Sequence, residues 1–384
     1  MAQDPEAKVA LLDLTYPQLQ NLVLSLGEPA YRADQLYHWL YRELATRFED
    51  MHNLPLPMRQ RLEQTTSLRG LIPLEEKRSS SGLTRKFLFS LPDGETIESV
   101  LMLYDKRQTV CLSTQVGCPL GCPFCATGQS GFVRDLTPGE IVEQVLYLAG
   151  QLKEGQQRIS NVVFMGMGEP FLNYDATWQA VRTLTDSRGY NLGARRITIS
   201  TVGIVPGIER LAGEGLQVGL AVSLHAPNDD LRQSLVPIAR RYPLSDLLDA
   251  CRSYVEHTGR RVTFEYALVE DLNDSLKLAR QLAHLLAGLL CHVNLIPLNP
   301  TAGGVWQPSP PDRVRAFHGE LQRLAINSTV RLRRGVDIEA GCGQLRSRRS
   351  GAASEAQPLS RPCTSGHDAR AHPRRPIAFR NDST

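Results

Sequence analysis

The chain has 384 residues, 42% hydrophobic and 22% charged, a composition that suits a folded globular protein and excludes a disordered or fibrous one. No apolar run is long enough to cross a bilayer, and the opening MAQDPEAKVALLDL lacks the basic-then-apolar order of a secretory leader, so a cytoplasmic protein without membrane contact is expected. The net charge is +3, but the stretch from Arg346 onward carries eight Arg against Glu355, Asp368 and Asp382, +5 in all, which leaves −2 for everything before it. Any nucleic-acid contact on the folded body must therefore come from a local patch.

Residues 1–70 read as a small helical accessory domain, with apolar positions spaced for one buried face in YPQLQNLVLSL and YRADQLYHWLYREL. Residues 71–105 read as a hairpin extension: TRKFLFSL and ETIESVLML flank the turn signal Asp93-Gly94. From 106 to 345 strands and helices alternate. The strands are 108–114, 159–166, 195–201, 217–224, 261–268 and 292–298. Amphipathic stretches such as PGEIVEQVLYLAGQL, ATWQAVRTLTD, LSDLLDACRSYVEHT and SLKLARQLAHLL lie between them. This order implies an α/β fold with a parallel sheet, curled or open, and ligand loops at the C-terminal strand ends. A last helix, PDRVRAFHGELQRLAI, leads into STVRLRR, and residues 346–384 have no apolar periodicity and read as a disordered basic tail.

Four of the eight cysteines fall between Cys111 and Cys125, a clustering that favours metal or redox chemistry over a disulfide scaffold. In CPLGCPFC, Cys118, Cys122 and Cys125 can hold three irons of a 4Fe–4S cube, leaving the fourth iron open to a small molecule. An open iron suits the amino and carboxylate groups of S-adenosylmethionine (SAM), whose reductive cleavage yields a carbon radical. A structural zinc site is the competing reading, but no neighbouring His or Cys supplies a fourth ligand cleanly. Further along, VVFMGMGEP ends the second strand at Gly168 and Glu169, where glycine permits close approach to a ligand. The third, fourth and sixth strands also end in polar groups, at Ser200, at Ser223 with His225, and at Asn299. Several strand ends contributing to one rim is how a barrel builds a ligand site. Taken singly, each is as readily a cap or turn residue.

CLSTQVGCPLGCPFCATG, MGMGEP, ITISTVG, SLHAP, IPLNP and GCGQL together resemble the radical-SAM adenine-C2 RNA methyltransferases, over roughly residues 8–345. The resemblance implies a partial (β/α)6 radical-SAM barrel, one 4Fe–4S cluster, two SAM molecules per turnover, and 23S ribosomal RNA and some tRNAs as substrates. It also implies a monomer fed by an electron donor such as flavodoxin or ferredoxin. By the same resemblance Gly168, Glu169, Ser200, Ser223, Leu224, His225 and Asn299 contact SAM. Cys342 matches the thiol that accepts a methyl group from a first SAM, Cys111 the partner that releases product as a disulfide forms, and Glu98 the proton acceptor. Cys111 is a second candidate for that proton. Left to themselves, Glu98 reads as a solvent-facing charge on a half-buried strand and Cys111 as a small buried hydrophobe. Cys342, between two glycines, reads as part of an approachable loop.

Carbon 2 of adenine is electron-poor, so a radical attached through Cys342 suits it better than polar transfer from electrophilic SAM. A C8-methylating relative shares the cluster and both thiols. A noncatalytic RNA-binding protein with a metal site is the alternative of another class. Arg32, Arg42 and Arg47, with Tyr37, Trp39 and Tyr41, are candidate RNA contacts in the N-terminal module, as are Arg331, Arg333 and Arg334 near Cys342. Cys251 and Cys291 read as structural, and Cys363 has no role in the pattern.

Overall fold

A computed structural model describes residues 8–345, apart from 154, 302–304 and 332; the tail expected over 346–384 and Cys363 lie outside the described residues. One sheet of ten strands organises the molecule. The first four are β1 (Ile72–Arg78), β2 (Thr84–Ser90), β3 (Thr96–Tyr104) and β4 (Arg107–Cys111). Then come β5 (Asn161–Phe164), β6 (Ile197–Thr201), β7 (Gly219–Ser223), β8 (Val262–Leu268), β9 (Cys291–Pro297) and β10 (Ser328–Val330). Neighbours in sequence are neighbours in the sheet: β1 to β4 pair antiparallel, and β4 to β10 pair parallel. The six expected parallel strands are all present, and STVRLRR contributes a seventh, β10. The hairpin around Asp93-Gly94 is not an appendage: its second strand pairs with β4, which carries the sheet on into the parallel half.

The helices follow from their apolar spacing. In chain order they are α1 (Tyr16–Ser25), α2 (Tyr31–Tyr41), α3 (Leu56–Thr65), α4 (Pro138–Lys153) and α5 (Tyr174–Thr185). They continue as α6 (Val205–Gly213), α7 (Asp229–Leu235), α8 (Leu244–Thr258), α9 (Leu276–Leu285) and α10 (Pro311–Arg323). The sequence did not announce α6 or α7. Both are short, and α6 carries Gly207, a weak helix former, because a Cβ there would meet the Phe171 ring at 2.6 Å. Helix α7 gains its start from Asn228, whose side chain accepts from the Leu231 amide at 3.0 Å.

Helices α1–α3 do not form a separate core. Leu36, Tyr41 and Met58 belong to the same continuous apolar cluster as Ile141, Val162 and Leu295. The N-terminal residues expected to meet RNA are largely used in this packing. Tyr37 and Tyr41 are buried, and Arg42 donates to the carbonyls of Ser187, Arg188 and Gly189 in the loop before β6. Arg32 and Trp39 both bond to Asn53, and Arg47 pairs with Asp50 at the surface. Helical spacing could not separate Arg42 from a free cation, because its partners lie about 145 residues away.

Candidate active site

The C-terminal ends of the parallel strands surround a cavity, and the cysteine loop closes one side of it. The loop is held at both ends: the Cys118 amide donates to Gly131 O at 2.8 Å, and the Cys125 amide to Cys122 O at 3.1 Å. The short helix Ala126–Gln129 follows at once. All three cysteines line the cavity. Burial pushes the Cys118 thiol up to about 12 and raises Cys122 as well, so neither becomes an anion at neutral pH without a cation to bind it. Among the described residues no three His, Cys, Asp or Glu side chains converge on a single ion position. Three thiols from one short loop on the wall of one cavity suit a cluster in which each thiolate takes its own iron.

The opposite rim comes from strand ends. After β5, Gly168 has φ +98°, and a Cβ there would meet the Gln115 side chain at 2.6 Å, so only glycine fits. Glu169 is buried, accepting from the Phe171 amide at 3.1 Å and the Val202 amide at 2.9 Å. Burial nonetheless pushes its carboxyl up to about 7, a cost that a cationic ligand would relieve. Ser200 and Ser223 line the cavity from β6 and β7. His225 follows with φ +61°, its Nδ1 accepting from the Ala267 amide at 3.0 Å and its ring edge-on to Phe124 at 5.0 Å. Burial drives its pKa down to about 3, so the ring is neutral. Asn273, which the sequence did not single out, fixes this corner by donating to the His225 and Ala267 carbonyls. Leu224 departs from expectation: it is fully buried in the core, and its amide donates to Glu265 O, so it does not line the cavity.

Asn299 joins this site to a second one. Its Nδ2 donates to Cys342 O at 3.2 Å, while its Oδ1 is buried without a hydrogen-bond partner among the described residues, in a side chain that lines the cavity. The loop carrying Cys342 is stitched from several sides. Gly341 packs so close that a Cβ would meet Asn299 Nδ2 at 2.7 Å, and the Gly341 amide donates to Gln344 Oε1 at 2.9 Å. Gly343 O accepts from the Ala126 amide at 2.7 Å, beside the cysteine loop. Cys342 lines both the first cavity and a second one beyond it, which Cys111 lines together with Val100, Met102 and Arg334. Burial, and then the neighbouring Cys342, push the Cys111 thiol up to about 12. Arg331 also lines both cavities; Cys342 above all, then Glu265 and Cys111, hold it charged.

Glu98 lines neither cavity. It lies on β3 two residues from Val100, on the same face, and is fully buried rather than solvent-facing. Lys86, on β2 and also buried, ion-pairs with it at 3.1 Å and donates to Glu339 O at 3.1 Å, three residues before Cys342. Lys86 sits mid-strand in TRKFLFSL and carries no sequence signal beyond an interrupted alternation.

Two family models match the chain. The Radical SAM superfamily covers residues 112–282, and the ribosomal RNA large subunit methyltransferase N-terminal domain covers 9–68. The chain is 50% identical to the probable dual-specificity RNA methyltransferase RlmN of Chloroflexus aurantiacus, over 88% of this chain and 93% of that protein. It is likewise 50% identical to the dual-specificity RNA methyltransferase RlmN 1 of Myxococcus xanthus, over 88% and 96%. A crystal structure of a radical SAM methyltransferase from Sphaerobacter thermophilus matches with a TM-score of 0.87 at 53% identity, covering 88% of this chain and 99% of that one. The noncatalytic metal-site alternative falls with these matches: the chain belongs to the radical-SAM superfamily and, within it, to the family of RlmN RNA methyltransferases.

Proposed function

We propose that this chain methylates carbon 2 of an adenine in 23S ribosomal RNA, and of an adenine in some tRNAs, using Cys342 as the carrier of the new carbon. The observation that carries the reading is the position of Cys342, on the boundary between the cavity ringed by the cysteine loop and strand ends and the cavity lined by Cys111. As a radical-SAM protein the chain uses a 4Fe–4S cluster and SAM, with Cys118, Cys122 and Cys125 as the residues that would hold the cluster. When bound, this pair supplies an electron, an electrophilic methyl group and a carbon radical that removes hydrogen.

The chain's own residues do the rest. Gly168 gives a ligand close access to backbone, Glu169 and the free Oδ1 of Asn299 offer acceptors for a ligand's ammonium or hydroxyl groups, and Ser200, Ser223 and His225 complete the rim. Cys342 accepts the methyl group on sulfur; its carbon, after losing one hydrogen, adds to the adenine ring and joins protein to RNA. A base takes the proton from the substituted ring carbon, and the bound cluster would take back the electron; the Cys111 thiolate then attacks the Cys342 sulfur, the disulfide forming as the bond from that sulfur to carbon breaks, and the released carbon takes up a proton to become the methyl group of the freed base. The proton acceptor is Glu98 or Cys111, and of the two only Cys111 lines the cavity beside Cys342. The protein acts as a cytoplasmic monomer, with flavodoxin or ferredoxin as the class of electron donor. Arg331, Arg333 and Arg334 give the second cavity a cationic wall suited to the RNA backbone.

Nucleoside mass spectrometry of RNA exposed to the reconstituted enzyme tests this. The expected product is 2-methyladenosine. Finding only 8-methyladenosine would transfer the chain to the C8 chemistry, and finding no methylated adenine would sink the proposal.

A further inference from the structure

Arg232 on α7 is fully buried, and no step above uses it. Its guanidinium donates to the carbonyls of Val202 at 2.5 Å, Tyr242 at 3.4 Å and Ser223 at 3.5 Å, and its Nε has no hydrogen-bond partner among the described residues. No carboxylate oxygen lies within 4.0 Å of it among the described residues. Asp229, one turn earlier, turns its Oδ1 to the Leu244 amide at 2.9 Å. Carbonyl dipoles solvate a cation in part, but a buried charge is normally matched by an opposite one.

The surroundings say where the matching charge belongs. Val202 and Ser223, whose carbonyls hold the guanidinium, both line the cavity shared with the cysteine loop. Cys122 packs in one apolar cluster with Leu235 and Val236, at the end of the Arg232 helix, with Leu231 beside it. Burial lowers Arg232 to about 10, while Asp229, Cys122 and Cys251 act in the opposite sense, and Arg232 in turn helps to keep His225 neutral. Three thiolates and an iron–sulfur cube carry net negative charge, and each electron taken up adds to it.

We propose that Arg232 is the built-in counter-charge of the iron–sulfur cluster, a fixed buried cation that raises the cluster's reduction potential and so eases the electron transfer on which turnover depends. The inference rests on the assignment of the cluster to Cys118, Cys122 and Cys125. Arg232 acts through its field on the cluster and through the carbonyls it holds, so it is a positioning residue. The neighbouring Cys251 on α8 offers a way to cancel its charge without removing it.

The test is a redox titration of anaerobically reconstituted full-length protein, without SAM, followed by electron paramagnetic resonance. Arg232→Gln keeps an amide for the carbonyls and drops the charge, and should hold the same iron and sulfide at a more negative midpoint. Arg232→Lys keeps the charge and should stay near the wild-type midpoint. Cys251→Asp places a carboxylate beside the intact arginine and should shift the midpoint negative too. A wild-type midpoint in the glutamine variant, or an equal shift in the lysine variant, overturns the proposal. If the glutamine variant cannot hold a cluster, an unshifted Cys251→Asp protein overturns it alone. A wild-type chain that takes up no iron or sulfide sinks the cluster assignment itself, a different outcome from a cluster whose potential ignores the charge.

Discussion

At the ends of the parallel strands and just beyond them, a set of polar groups lines a cavity, whereas on β2 and β3 the buried Lys86 and Glu98 stand mid-strand and face each other. Glu169, Ser200, Ser223 and Asn299 belong to the first kind. Lys86, Glu98 and Ser99 belong to the second, with Lys86 paired to Glu98 and the Ser99 hydroxyl donating to Gln144 at 2.7 Å. A group at a strand end can leave a valence open for a ligand, as Asn299 does. A group in mid-strand must be satisfied by its neighbours. The parallel half is thus built to bind, and the antiparallel half to hold Cys111 and the Cys342 loop in fixed relation.

Removing ligands from the parallel half should have the largest effect. Cys122→Ser should abolish cluster uptake, read as iron and sulfide per chain, and with it all SAM cleavage. Cys342→Ala should abolish RNA methylation while leaving iron and sulfide content at the wild-type level; retained methylation would break the division between the two cavities. In the antiparallel half, Lys86→Met removes the cation paired with the buried Glu98 carboxylate, which should cost about 3–5 kcal/mol of folding stability in urea titrations, with Lys86→Arg recovering most of it. A Lys86→Met protein as stable as wild type would contradict the mutual satisfaction argued for this half. Asn299→Ala removes a hydrogen bond to Cys342 O and an open acceptor, and should cost about 1 kcal/mol of stability while weakening SAM binding, measured by calorimetry.

A further effect concerns pH. His225 is held neutral with a pKa of about 3, below the unfolded value of about 6.5. Below pH 6.5 the unfolded chain takes up a proton that the folded chain refuses, so the contribution of His225 is complete above that pH and lost as pH falls toward 3. Stability of the apoprotein should drop by about 1.4 kcal/mol per pH unit from this source, and His225→Gln should remove that part of the slope. An unchanged slope would mean that the ring does not stay neutral.

The same contrast explains what could be read in advance. The cysteine loop and the strand-end motifs were legible because ligand chemistry demands particular residues at short spacing, and the alternating pattern placed them correctly in a parallel sheet. Glu98 was not. ETIESV suggests one wet face, yet both faces of β3 are covered: Ser99 lies against α4, and Glu98 beside Lys86, which reaches the segment before Cys342. Leu224 sits inside a motif whose neighbours line the cavity, but strand alternation turns it into the core. Arg42 finds carbonyls near residue 188, and Lys86 meets the loop before Cys342, 253 residues away; such partners leave no local trace.

The claim that Cys342 carries the methyl group is tested most directly by mass spectrometry of tryptic peptides from protein purified anaerobically out of cells supplied with iron and sulfur. The account predicts a methyl group on the sulfur of Cys342, and none on Cys111. A Cys342 peptide found only as the free thiol, in protein that holds its cluster and cleaves SAM, would contradict it.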